Sequence, residues 1–230
     1  MIKSIIYTLT HIIFFIVVAI VLFINLAPQF GSNPSPEQKV FYDSFPNYSK
    51  GGFENFEPTP MMTGEISTWD FFKEDSSRKP TSAILPKSIN FDSFAKPNSD
   101  YRLAWLGHSA FLINVMGKII LLDPMLGSHA APIPLPNLKR FNEVLPINLD
   151  SVDKVDFVVV SHDHYDHLDY STIKLLKDKV STFLAPHGIG NHLKKWGVKS
   201  NQIVELNWNE SFGSENIEFH CLPSRHFSGR

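Results

Sequence analysis

The apolar run Val155, Phe157, Val158, Val159 and Val160 ends abruptly in Ser-His-Asp-His-Tyr-Asp-His-Leu-Asp at 161–169. β-branched and aromatic residues in a stretch of this length specify a buried strand, and the polar run behind it must leave the core. The chain is therefore committed to a sheet whose strand end presents three histidines and three aspartates to a cleft. His162 and His164 are spaced so that both imidazoles can face one ion, while Asp166 and His167 follow where the chain turns into a helix. Asp169, ahead of Tyr170 and Ser171, reads better as the cap of that helix than as a ligand.

The residue types indicate a metal. Neutral imidazole and carboxylate suit Zn²⁺ at roughly 2.0–2.2 Å, and an open coordination position lowers the pKa of bound water to about 7. A solitary surface histidine would mean little, but four potential ligands within 162–167 point to an ion, and two adjacent ions can share the loop.

Around this loop the pattern predicts strands at 103–106, 110–115, 118–122, 155–160, 182–185, 202–206 and 217–222, with Met116 and Gly117 as a two-residue hairpin turn. Helices are expected at 171–178 and 188–196, the second ending on Gly197. Paired strands followed by interleaved helices imply α/β layers on a mixed sheet. Asp123 closes the third strand, from where its carboxylate can orient a histidine N–H or cap the turn. Taken alone, His108 in LGHSAF reads as a satisfied loop histidine, and His187 in APHG reads as a residue on the site wall.

Residues 4–26 contain an unbroken apolar run over 12–24, long enough for a bilayer helix of roughly 20 residues. No small-x-small cleavage pattern follows it, and Pro28 sits behind Ala27, so residues 1–28 read as an uncleaved membrane anchor. Lys3 precedes the helix and the next cation is Lys39, which places the N-terminus in the cytoplasm and the rest on the extracytoplasmic side. Residues 29–100 lack a sustained period, yet carry Phe41, Tyr42, Phe45, Phe53, Phe56, Trp69, Phe71 and Phe72; they read as a linker packed in extended form on the domain. A net charge of −2 and mostly Phe aromatics argue against a nucleic-acid partner. The single cysteine, Cys221, excludes an intrachain disulfide framework.

The order strand, HDHYDH, helix resembles the His-x-His-x-Asp-His signature of metallo-β-lactamase-fold hydrolases. The resemblance implies an αββα sandwich, of which 101–230 carries the first half and part of the second, preceded by the transmembrane helix. It also implies that His162 and His164, with His226 from the LPSRHFSGR segment, hold one zinc, and that Asp166 and His167 hold a second. Asp166 is also the candidate catalytic carboxylate. For His108 the resemblance implies the alternative of a polar group lining the site. The segments at 104–113, 119–126, 139–147, 158–176 and 223–229 are similar to the N-acylphosphatidylethanolamine-hydrolysing phospholipase D branch. That similarity implies hydrolysis of a membrane-lipid phosphodiester. A neighbouring lactonase branch, acting on small phosphorylated sugars, shares the WLGHS-like and DP-like segments.

One departure stands beside these matches. The family's bridging aspartate and last histidine have no counterpart up to Arg230, so the domain is expected to be incomplete at its C-terminus. The rival expectation is an inactive remnant holding at most one zinc through His162, His164 and His226.

Overall fold

The computed structural model describes residues 2–58, 60, 64, 79–82, 84–97 and 101–230. Its first element, α1 (Ile2–Leu26), is an unbroken 25-residue helix. At ~1.5 Å per residue it is about 37 Å long, enough to cross a hydrocarbon core of roughly 30 Å. Its surface is apolar and not packed on the rest of the protein. Several polar side chains on it bond within the helix: Thr8 and Thr10 donate to the carbonyls of Ser4 and Ile6, and Asn25 Nδ2 to that of Val21. Such internal satisfaction is what an environment without water requires.

A mixed six-stranded sheet organises the remainder, in the order β3 (Arg102–Gly107), β4 (Ala110–Val115), β5 (Lys118–Leu122), β6 (Val155–Val159), β7 (Val180–Pro186) and β8 (Ile203–Leu206). The first three strands are antiparallel, and β5 through β8 run parallel. Met116 and Gly117 both adopt positive φ, 52° and 76°, the conformation a two-residue hairpin turn needs to follow the strand twist. Parallel strands need crossovers, supplied here by α4 (Tyr170–Leu176) and α5 (Ile189–Lys195). Asp169 caps α4 by accepting the N–H groups of Ser171 and Thr172. Gly197, φ +91°, ends the turn behind α5.

One core unites Leu112, Val158, Val160, Leu168, Ile173, Phe183, Leu193 and Trp196. Each aliphatic or Phe side chain so buried stabilises the fold by about 1.5–3 kcal/mol. A second apolar cluster, Ile120, Phe157 and Leu184, is covered by Phe212 and Phe219 of the hairpin β9 (Ser211–Ser214) and β10 (Ile217–His220). The result is a mixed α/β fold with a central sheet.

Three expectations need correction. Strand β9 has no counterpart in the sequence reading, because Ser-Phe-Gly-Ser has little β-propensity of its own and becomes a strand by pairing with β10. Gln202 belongs to a 3₁₀ turn, Ser200–Gln202, and not to the strand behind it. The segment 29–100 is also not uniformly extended. It contains α2 (Pro36–Tyr42), a small hairpin of β1 (Tyr48–Ser49) and β2 (Gly52–Phe53), and α3 (Phe91–Ala95). The start of α2 is a capping box, with the Ser35 hydroxyl and the Gln38 side chain each bonded to the other's backbone N–H. Of the linker aromatics, Phe41, Tyr42 and Phe45 surround His187, and Phe56 meets Trp208 at 4.8 Å. Trp69, Phe71 and Phe72 lie outside the described residues.

Candidate metal centre

The histidine loop leaves β6 at Ser161 and is pinned at its far end by Leu168, which is fully buried. Between them the N–H groups of His167 and Leu168 both donate to the carbonyl of His164, at 3.0 and 2.8 Å. This tight turn gathers side chains that an extended chain would spread along its length.

Asp123, at the end of β5, sets the orientation of the loop. Its φ of +41° is a left-handed conformation that a short polar residue tolerates, and it turns the carboxylate back under β6. Oδ1 accepts the Ser161 N–H at 2.7 Å, and Oδ2 lies 2.7 Å from Ser161 Oγ and 2.9 Å from His167 Nδ1. The Ser161 hydroxyl gives its single hydrogen to Asp123 and so accepts from His162 Nδ1, 2.9 Å away. Asp123 thus fixes two tautomers, one directly and one through Ser161, leaving the Nε2 lone pairs of His162 and His167 free.

Two groups of donors result. In the first, the ligand atoms of His162, His164 and His226 lie within 4.8 Å of one another, although His226 comes from the segment after β10. His226 Nε2 stands 3.1 Å from His162 Nε2 and 3.2 Å from His164 Nδ1. Tetrahedral zinc with nitrogen at ~2.0–2.1 Å would separate neighbouring nitrogens by about 3.3 Å, so these three rings fit such an ion. The second group comprises His108, Asp166 and His167, again within 4.8 Å. Here Asp166 Oδ2 is 2.9 Å from His108 Nε2 and 3.9 Å from His167 Nε2. This set of two imidazoles and a carboxylate also suits zinc or another transition ion.

The electrostatics divide the histidines. Burial, with His167, His164 and His226 close by, pushes His162 down to about 4. Burial and His226 likewise lower His164. Both are neutral near pH 7, the form in which imidazole binds a metal. Burial opposes charge on His167 too, but the Asp123 hydrogen bond and the charges of Asp123 and Asp166 outweigh it and raise its pKa.

His162 and His226 stand on the wall of a cleft of about 1010 Å³. Its walls include Leu184, Ile189, Phe219 and Leu222 from the domain and Tyr42, Tyr48 and Phe53 from the segment after α1. His187 also lines this cleft, stacked on Phe45 at 4.9 Å, apart from both donor groups. One participant, Asn55, escaped the sequence reading, and one, His108, takes a place that the reading did not give it. His108, taken there as a residue lining the site, reaches Asp166 because its φ of +45°, after Gly107 at +114°, turns it inward. Asn55 embraces the backbone of His226, donating from Nδ2 to its carbonyl at 2.8 Å and accepting its N–H at 3.2 Å. No local signal could reveal a contact across 171 positions, whereas the Gly-His step gave a hint of the turned backbone.

Residues 118–230 match the beta-lactamase superfamily domain. An uncharacterized protein of Mycobacterium tuberculosis is 36% identical over 191 residues, covering 80% of this chain and 50% of the relative. The N-acyl-phosphatidylethanolamine-hydrolyzing phospholipase D 1 of Caenorhabditis elegans is 32% identical over 166 residues, covering 67% and 46%. A metal-dependent hydrolase of Caldivirga maquilingensis is 32% identical over 127 residues, covering 55% and 49%. The chain spans about half the length of these curated relatives.

Proposed function

We propose that the protein is a metal-dependent hydrolase of the beta-lactamase superfamily, whose domain residues 118–230 match. Its ion of choice is zinc, its substrate a membrane-lipid phosphodiester of the N-acylphosphatidylethanolamine type. The observation that carries this reading is the convergence of two donor groups, His162, His164, His226 and His108, Asp166, His167, on one loop beside a largely apolar cleft.

Zinc at these donors supplies Lewis acidity and water that ionises near pH 7 (about 7 in well-studied sites). The protein's own part is positioning. Asp123 holds His167 directly and His162 through Ser161, and Asn55 holds the backbone of His226. Asp166 Oδ2, 2.9 Å from His108 Nε2, is the carboxylate at which a proton can be held during turnover. The cleft, at about 1010 Å³, lies at the upper end of the ~300–1,000 Å³ usual for small-molecule sites and has largely apolar walls, which suits a long amphiphile better than a small phosphorylated sugar lactone. The phospholipase D of C. elegans points to the same substrate class. α1 serves as the membrane anchor, and Lys3 in its first turn favours an extracytoplasmic domain.

The test is phosphodiester turnover on vesicles containing N-acylphosphatidylethanolamine, with wild type and His164→Ala side by side. Zinc-dependent release of the N-acylethanolamine, abolished in His164→Ala, is the expected result. Turnover that survives the substitution would overturn the metal mechanism. One bound zinc without turnover would favour a non-catalytic zinc protein.

A further inference from the structure

The junction between α1 and the domain is too well bonded to be a tether. Helical bonding continues past Leu26 in the Ala27 N–H to Phe23 carbonyl bond of 2.9 Å, the chain turns out of the helix at Ala27 (φ −68°, ψ 125°), and a single 3₁₀ turn, Pro28–Phe30, follows at once. Phe30 folds back edge-on against Phe23, with ring centroids 5.5 Å apart. Pro28, Gln29, Gly31 and Ser32 are each tied to the domain. Trp196 Nε1 donates to the Pro28 carbonyl at 2.6 Å, Lys195 Nζ to that of Gly31 at 2.6 Å, and Ser32 N–H to His192 Nδ1 at 2.9 Å. Gln29 Nε2 donates to the Pro132 carbonyl at 3.1 Å. Gly31 lies so close that an added Cβ would fall 1.8 Å from His192 Nδ1.

Arg230 carries this connection into the metal loop. Its guanidinium stacks 3.9 Å over the Tyr165 ring, while Nη1 donates to the Gln29 carbonyl and Nε to that of Asp163, each at 2.6 Å. Residue 29, three positions beyond α1, is thus one side chain removed from the loop that bears His162 and His164. Ser32, Asn33 and Pro34 go on to line the cleft.

The surface beside the junction suits a bilayer. Residues 130–138, held there by the Gln29 bond, carry no charge and expose Ile133. A hollow of about 260 Å³ next to them is lined by Gln29, Ile133, Tyr165 and Tyr170. Tyrosine favours the headgroup level of a membrane, where its ring and hydroxyl meet different surroundings. Asp169 also lines the hollow, with its carboxylate already bonded to Gly127, Ser171 and Thr172.

We propose that residues 27–32 form a rigid bracket that seats the domain on the bilayer α1 crosses, with the 130–138 loop against the phospholipid surface and the histidine cleft at a fixed height above it. This rests on the reading of α1 as a membrane span. The partner surface is the phospholipid bilayer itself, and substrate reaches the cleft from that side without the domain having to swing.

The whole chain, reconstituted in phosphatidylcholine vesicles, provides the test. In a Cys221→Ser background, Ile133→Cys is labelled with an environment-sensitive fluorophore and quenched by lipids brominated high on the acyl chain. A matched variant carries a Gly/Ser insert of about ten residues between Leu26 and Ala27, whose reach is on the order of 17 Å. At least a twofold loss of quenching on insertion is expected. Equal quenching in both, or none in either while the chain resists alkaline extraction, would overturn the bracket. Release of the chain by alkaline carbonate would instead overturn the span reading on which the bracket depends.

Discussion

The side-chain amide of Asn55 closes a two-bond ring with the backbone of His226, donating to its carbonyl at 2.8 Å and accepting its N–H at 3.2 Å. His226 lies in no strand or helix, and its residue is largely exposed. What holds its ring near His162 and His164 is therefore this clamp, the Phe227 ring against His164 at 4.7 Å, and the bond from Gly229 N–H to Asp163.

Asn55→Ala removes both bonds. Each is worth about 0.5–1.5 kcal/mol, so affinity at the three-histidine site should fall roughly tenfold. Asn55→Asp keeps the acceptor and loses the donor, and should fall in between. Cobalt titration followed by visible absorption measures both, with the unfolding midpoint as control. Unchanged cobalt affinity in Asn55→Ala would show that the amide does not position His226.

Asp123→Asn tests the relay under the loop. The carboxylate accepts from Ser161 twice and from His167 once, so one amide oxygen and an added donor cannot replace it. Metal affinity should drop about 10–100-fold, as for other carboxylates that orient a metal-binding imidazole. The largest loss is expected at the His108, Asp166, His167 group, and its signature is a metal content that declines while the far-ultraviolet dichroism stays near wild type.

His192 gives the fold a dependence on pH. Burial, aided by the charge of Arg230, pushes it down to about 4, and its Nδ1 accepts the Ser32 N–H. Because the folded pKa lies below the ordinary 6.5 of the unfolded chain, the neutral ring contributes its full stability above about pH 6.5. That contribution is lost as pH falls toward 4, when the unfolded chain takes up the proton first. The loss is at most about 3 kcal/mol. In detergent, the unfolding midpoint of wild type should fall more steeply between pH 6.5 and pH 4 than that of His192→Gln, which cannot titrate. Parallel curves would remove His192 from the pH response.

How much was legible in the sequence follows from what each element depends on. Strands β4 and β5 match residue for residue, since alternating apolar positions and a Met-Gly turn act locally. The helix α2 was missed, because its proline-rich setting hid the capping box that Ser35, Pro36 and Gln38 spell. β9 and the Asn55 clamp were not readable. One exists by pairing with a neighbour, the other by closure over a long stretch of chain. The ligand candidates His162, His164, Asp166 and His167 stood out by chemistry, whereas the place of His108 beside Asp166 depends on a backbone turn.

The most direct measurement is the metal content of the purified chain and of His164→Ala, by plasma mass spectrometry after growth with zinc supplied. At least one firmly held ion per wild-type chain is expected, with a clear loss in the variant because one of three converging nitrogens is gone. Equal metal in both proteins, or none in wild type, would contradict a metal centre on this loop.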